Sequence, residues 1–200
     1  MWRVLMLTSA EIDKKYMVLM KKCENIFAEK GMEYGATWAI YRWSSLVDQL
    51  WMKVKRIRTI EDAPSKIPDS VDIEYMALIN YAIVFLIRLG NVDAIASSDQ
   101  ILENIELMDG FSKTEVMELY QKVVKEAFEL YQAKNHDYNN AWQDMTVSSI
   151  TDLIIVKVLR MRQIVRQISN QKKNLRYDDV EQQLFDIINY SIFALIKVAV

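Results

Sequence analysis

Asp48, Lys53 and Arg56 recur further along the chain as Asp152, Lys157 and Arg160, at the same internal spacing. On a helix turning about 100° per residue, the three side chains of each set lean toward one side. An aspartate beside two cations suits a phosphorylated ligand. The cations would hold phosphate, and the acid would orient them or bridge to Mg²⁺. The same pattern also fits a helix dipole with acid first and base last, or an ordinary solvated face.

A second set is carried by KNHDYNNAW at 134–142, with a looser copy, KGMEYGATW, at 30–38. The shared members are Lys30 and Lys134, Glu33 and Asp137, Tyr34 and Tyr138, and Trp38 and Trp142. Aromatic rings beside cations and acids are what stacking on a base and holding its polar edge requires. The structural alternative is that the rings close the end of a bundle and leave their polar tips in water. His136 stands opposite Met32 and has no second histidine to share a metal, so it reads as a loop residue. Asn80 and Asn189 each sit in an Ile-Asn-Tyr triplet of an apolar stretch, where an amide must find partners. They either fix helix register or face a ligand. Asp186 lies three residues before Asn189, whereas Ala77 holds the matching position in the first half. A Mg²⁺ site is therefore expected, if anywhere, at Asp152 and Asp186.

These residues are positioned by an internal duplication. A shift of 104 superposes Tyr16 on Tyr120, Lys21 on Lys125, Asp48 on Asp152, Lys53 on Lys157, Arg56 on Arg160 and Arg58 on Arg162. Most such pairs are polar or aromatic, so apolar periodicity alone does not produce them. Thr8 with Glu11 and Ser112 with Glu115 form matching capping boxes, which start helices over about 9–30 and 113–134. Second helices are expected over about 44–61 and 148–169. Third helices start near Asp69 and Asp178 and run through INYAIVFLI and INYSIFALI, with Gly90 as a cap. A short bridging helix is expected near SSDQILENIEL. The fold class is all-α: two tandem three-helix repeats packed as a pseudo-twofold bundle. One compact domain over 1–200 would comprise repeat one (8–90), a bridge (91–111) and repeat two (112–200).

Composition narrows the function classes. A formal net charge of −2 gives no overall pull toward nucleic acid, so direct nucleic-acid binding ranks low. One cysteine, Cys23, excludes an intramolecular disulfide and fits a reducing compartment. The longest apolar run, at 75–87, is short for a bilayer, which takes about 20 residues. The expectation is a cytoplasmic, soluble protein without a membrane partner. No Gly-rich phosphate loop, zinc spacing or Ser-His-Asp set is present.

The combination of DYxxAW, SSxTDxxxxKxxR and a later DIINY resembles the family called nucleotide modification-associated domain type 1, formerly a domain of unknown function. The resemblance covers nearly the whole chain, once per half, and the duplicated form is typical of Bacteroidetes proteins. In half two it rests on Lys134, Asp137, Tyr138, Trp142, Asp152, Lys157, Arg160, Asp186 and Asn189. In half one it rests on Lys30, Tyr34, Gly35, Trp38, Arg42, Asp48, Gln49, Lys53, Arg56 and Asn80. Departures are Asn139 where Gly35 stands in half one, Glu33 for the usual Asp, and Ala77 opposite Asp186. The resemblance implies a nucleotide or nucleoside phosphate ligand, with no reaction specified. The layout also looks somewhat like the all-α nucleoside triphosphate pyrophosphohydrolases, which hold Mg²⁺ with four carboxylates. Here one repeat offers too few. Three readings follow: a nucleotide-binding or nucleotide-processing protein, a non-catalytic helical scaffold, and a divergent Mg-dependent pyrophosphohydrolase. Further homodimerisation is left open.

Overall fold

The computed structural model describes residues 6–34, 37–63, 70–91, 112–171 and 177–198. Among them are six α-helices and two short 3₁₀ turns. Repeat one contains α1 (Ser9–Tyr34), α2 (Trp43–Asp62) and α3 (Val71–Gly90). Repeat two contains α4 (Lys113–Tyr138), α5 (Val147–Gln171) and α6 (Tyr177–Val198). The expected bridging helix falls outside the described residues.

Both capping boxes form. The Glu115 carboxylate accepts from the Ser112 backbone N–H at 2.7 Å, and Ser112 Oγ accepts from the Glu115 N–H at 3.2 Å. Thr8 and Glu11 repeat the exchange at 2.8 and 3.3 Å. Five sequence boundaries shift. First helices run one turn longer than expected, to Tyr34 and Tyr138, so Lys134 and Tyr138 share a helical face at i, i+4. Ser70, rather than Asp69, is the residue before α3, and α6 begins at Tyr177. Gly90 is the last helical residue and not the cap. Asn91 follows it and closes the end, its side-chain amide donating to the Ile87 carbonyl at 2.8 Å.

Asn139 and Asn140 take left-handed backbone angles, φ 47° and 57°, and turn the chain from α4 into the Ala141–Asp144 turn. Asparagine tolerates this region better than most side chains, so it serves where the first repeat has Gly35.

α3 and α6 lie side by side and form the centre of the bundle. α2 packs on α3, α5 on α6, and α2 and α5 on each other, while α1 and α4 each lie across both central helices. α2 and α3 run antiparallel: Arg56 meets Glu74 at one end of the pair, and Trp43 stacks on Phe85 at the other. Contact on several sides explains why INYAIVFLI and INYSIFALI are nearly continuous in apolar residues. α3 is by length and hydropathy apolar enough to cross a membrane, but most of it is buried against other helices.

The repeats are joined by reciprocal contacts. Tyr16 of α1 donates to Asn189 Oδ1 of α6 at 2.8 Å, and Tyr120 of α4 donates to Asn80 Oδ1 of α3 at 2.8 Å. Each asparagine then donates to a carbonyl of its own repeat: Asn80 to Cys23 at 3.1 Å and Asn189 to Ala127 at 3.3 Å. Cys23 and Ala127 are themselves 104 residues apart. Tyr16 and Tyr120 are fully buried, and removal from water holds both phenols well above their ordinary pKa.

Candidate functional site

Each repeat buries one carboxylate of its third helix against two cations. In repeat two, Lys134 Nζ from α4 lies 2.5 Å from Asp186 Oδ1, and Lys157 Nζ from α5 lies 2.8 Å from Oδ2. The Asp186 side chain is 8% exposed, whereas the two lysines remain partly open to water. Tyr190 sits one turn beyond Asp186 on the same face. Its phenol is pushed up by burial first and by the Asp186 charge second, with Lys157 opposing. Tyr138 also acts on Tyr190 electrostatically and is itself 72% exposed at the rim.

Repeat one builds the cluster from different positions. Glu74 is 1% exposed and receives Lys53 Nζ at 3.2 Å and Arg56 Nη1 at 2.5 Å, both from α2. Tyr81, the counterpart of Tyr190, is pushed up by burial and then by Tyr41 and Glu74. The acid lies one helical turn before Ala77, the position matching Asp186. Because α2 and α3 are antiparallel, moving the acid toward their connection brings it level with Arg56. The longer glutamate reaches both cations from there. In repeat two the corresponding Arg160 is exposed and pairs with no described residue.

The remaining sequence candidates separate into four groups. Asp48 and Asp152 do not join the clusters. Asp48 lies 3.5 Å from Arg162 and Asp152 lies 2.9 Å from Arg58, a second reciprocal pair between repeats. The expected Asp-Lys-Arg grouping on one helix is therefore split: the aspartate faces the other repeat, while Lys53 and Arg56 in repeat one, and Lys157 alone in repeat two, meet the buried acid. Asn80 and Asn189 bond Tyr120 and Tyr16. Trp38 and Trp142 are buried, and Trp142 stacks on Phe193 at 4.4 Å with rings nearly parallel. Asp137 is exposed beside His136, and the Tyr34 side chain falls outside the described residues.

The two carboxylates expected for Mg²⁺ have separate cationic partners. Asp186 has a lysine at each oxygen, and Asp152 pairs with Arg58. Among the described residues no group of three His, Cys, Asp or Glu side chains is placed to hold a metal.

Glu74 escaped the sequence comparison because only the aligned Ala77 was compared with Asp186. A glutamate inside an otherwise apolar stretch, one turn away, was the available signal. Asn140, which has Ala36 as its counterpart, also contributes: it donates to Ser9 Oγ at 3.3 Å and accepts from Asn135, tying the turn to the start of α1. Gln143 adds a two-bond clamp, accepting from the Leu7 N–H at 2.8 Å and donating to the Leu7 carbonyl at 3.0 Å.

Fold and clusters together define a duplicated all-α protein with one buried acid–cation cluster per repeat. The chain belongs to the family described as nucleotide modification associated domain 1, whose profile matches residues 30–89 and 134–198. The matched segments hold every residue of both clusters and omit most of α1 and α4. Comparison with curated proteins and with solved structures found no match.

Proposed function

We propose that this protein binds a nucleotide or nucleoside phosphate at the Lys134–Lys157–Asp186 cluster, with a second such cluster at Lys53, Arg56 and Glu74. The observation that carries the reading is charge: each cluster sets two cations against one buried carboxylate, leaving one positive charge at a partly open surface. An ammonium has three donors, and Asp186 occupies only one on each lysine. The remaining donors and Arg160, one turn from Lys157, are available to phosphate oxygens. Tyr138 offers an exposed ring to the base. Asp186 has the role of orienting the lysines. Mg²⁺ enters this reading as a companion of the phosphates, because Asp152 and Asp186 have separate cationic partners. The proposal is one of binding and names no reaction.

The scaffold reading draws on one observation of its own: the Tyr–Asn and Asp–Arg pairs satisfy one another across the repeats. Those contacts lie apart from the two clusters, so both readings can hold for different residues. The pyrophosphohydrolase reading needs a set of carboxylates around Mg²⁺ that the described residues do not assemble.

Thermal-shift titration with nucleoside mono-, di- and triphosphates, each with and without Mg²⁺, tests the proposal. Phosphorylated nucleosides are expected to raise Tm more than the bare nucleosides. Tyr138→Ala and Arg160→Ala, both surface changes, are expected to weaken binding by about 1–3 kcal/mol at the stacked base and by a similar amount at the phosphate. No shift with any nucleotide overturns the proposal.

A further inference from the structure

One group of contacts between the repeats comes in reciprocal pairs, and each repeat carries both halves of every such pair. Repeat one supplies Tyr16 to Asn189 and receives Tyr120 at Asn80. It supplies Asp48 to Arg162 and receives Asp152 at Arg58. Tyr16 stacks on Tyr131 at 4.9 Å, and Tyr120 stacks on Phe27, the position matching Tyr131, at 4.8 Å. A surface built this way is isologous: it complements a copy of itself.

A second group of contacts lacks that symmetry. Tyr75 OH lies 2.7 Å from Thr151 Oγ1, which donates to Glu61 Oε1 at 2.6 Å, at a buried junction of α2, α3 and α5. The positions matching Tyr75, Thr151 and Glu61 are Leu184, Val47 and Val165. Two copies of repeat one would leave the Tyr75 phenol and Glu61 without their threonine. Two copies of repeat two would lose the glutamate. Asp13 accepts from Tyr131 at 2.8 Å and from Gln132 at 3.1 Å, and its counterpart is Met117. These contacts favour repeat one against repeat two over either repeat against itself.

We propose that this surface also accepts a repeat from a second copy of the chain, giving a closed dimer in which repeat one of each copy packs on repeat two of the other. The symmetric contacts make the surface self-complementary, and the Tyr75–Thr151–Glu61 and Asp13–Tyr131 contacts select the unlike repeat. Every described contact between the repeats can be rebuilt in the exchanged dimer, with one half supplied by each chain. The clusters at Asp186 and Glu74 lie within single repeats and pass into the dimer unchanged. This proposal stands apart from nucleotide binding.

Two complementary full-length variants test it. One carries Asp48→Arg and Asp152→Arg; the other carries Arg58→Asp and Arg162→Asp. Either chain alone has two like-charge contacts between its repeats, whereas exchange between the two chains restores four opposite-charge contacts. The mass-tagged variants are unfolded in urea, mixed, and refolded at low ionic strength, and the products are counted by native mass spectrometry. The expected result is a mixed dimer in clear excess over the statistical proportion, with the excess reduced by salt. A second arm refolds tagged and untagged wild-type chains at high concentration, where mixed dimers are expected to survive dilution because separation requires opening the core. Absence of mixed dimers in the wild-type arm overturns the proposal, as does pairing of the variants at or below the statistical proportion.

Discussion

Repeat one seats its buried carboxylate at Glu74, and repeat two seats its own a helical turn later, at Asp186, yet each ends with two cations around one acid. Lys53 and Lys157 occupy matching positions in both. The second cation differs in origin: Arg56 comes from the same helix as Lys53, whereas Lys134 reaches in from α4. The acid has moved, changed length and changed one partner, while the surplus positive charge is kept. The reciprocal contacts behave differently. Tyr16 and Tyr120, Asn80 and Asn189, and the two Asp–Arg pairs keep both identity and position. A reciprocal contact made twice across the repeats must match on both sides at once, whereas a cluster inside one repeat needs only local compensation.

The largest expected effect concerns the buried phenols and thiol, of which Tyr16 and Tyr120 match between the repeats while Cys23 and Tyr75 belong to repeat one alone. Burial raises Cys23 and Tyr75 to about 12, and raises Tyr16 and Tyr120 further above their ordinary value. A raised folded pKa means that the native state holds the proton more tightly. Stability from these groups is therefore fully present below about pH 9 and is lost as pH rises toward the folded values, by about 1.4 kcal/mol per group per pH unit. Alkaline titration should lose helical circular dichroism together with the part of the tyrosinate absorbance that belongs to the buried phenols. Tyr75→Phe, which approaches the Leu184 of repeat two, should flatten that loss. Absorbance from Tyr16, Tyr75 and Tyr120, identified by their Phe variants, that appears well before helix loss breaks the account of these groups as buried.

The clusters come next. Lys53→Ala with Arg56→Ala leaves Glu74 buried and uncompensated, and Lys134→Ala with Lys157→Ala does the same to Asp186. Each pair of changes should cost about 3–5 kcal/mol in urea unfolding, the first more than the second because Glu74 is the deeper acid. Moving the acid, with Glu74→Gln and Ala77→Asp, should cost only about 1 kcal/mol, since repeat two already uses that register. A cost as large as that of the cation removals would show that the two arrangements are not interchangeable.

Asn80→Ala and Asn189→Ala each orphan a tyrosine hydroxyl and a backbone carbonyl, and should each cost about 1–3 kcal/mol. Asn189, the more buried, should cost more. A double-mutant cycle of Tyr16→Phe with Asn189→Ala should show coupling; simple additivity would deny the bond any part in joining the repeats. Smallest of all, Asp48→Ala and Asp152→Ala remove carboxylates that are 61% and 57% exposed. Each should change stability by less than about 1 kcal/mol, and salt should erase the difference.

Much of the fold was legible because its signals are local. Capping boxes, scarce glycine and proline, and a repeat at fixed offset place six helices to within about a turn at each end. The candidate site was legible only in part. Lys134, Lys157 and Asp186 were singled out and do meet. Asp152 and Asn189 were grouped with them by helical spacing, and Trp142 by its place in the copied connection, but neither says which neighbour lies opposite. Glu74 was missed for the same reason: an acid one turn out of register is invisible to position-by-position alignment, although an antiparallel neighbour makes the displacement harmless.

The chain's own order of residues determined that there are two copies, that each is three helices, and which side chains are polar within apolar stretches. Only the tertiary packing decided how those polar groups are shared. Helix period and caps are properties of a few adjacent residues. By contrast, whether an aspartate faces its own repeat or the other depends on which helices lie against it. Crossing α1 over α6 and α4 over α3 turned the asparagines into links between repeats, and packing α2 on α5 brought Asp48 and Asp152 to Arg162 and Arg58. It also left two partly open cation pairs over buried acids where a phosphate can be sought.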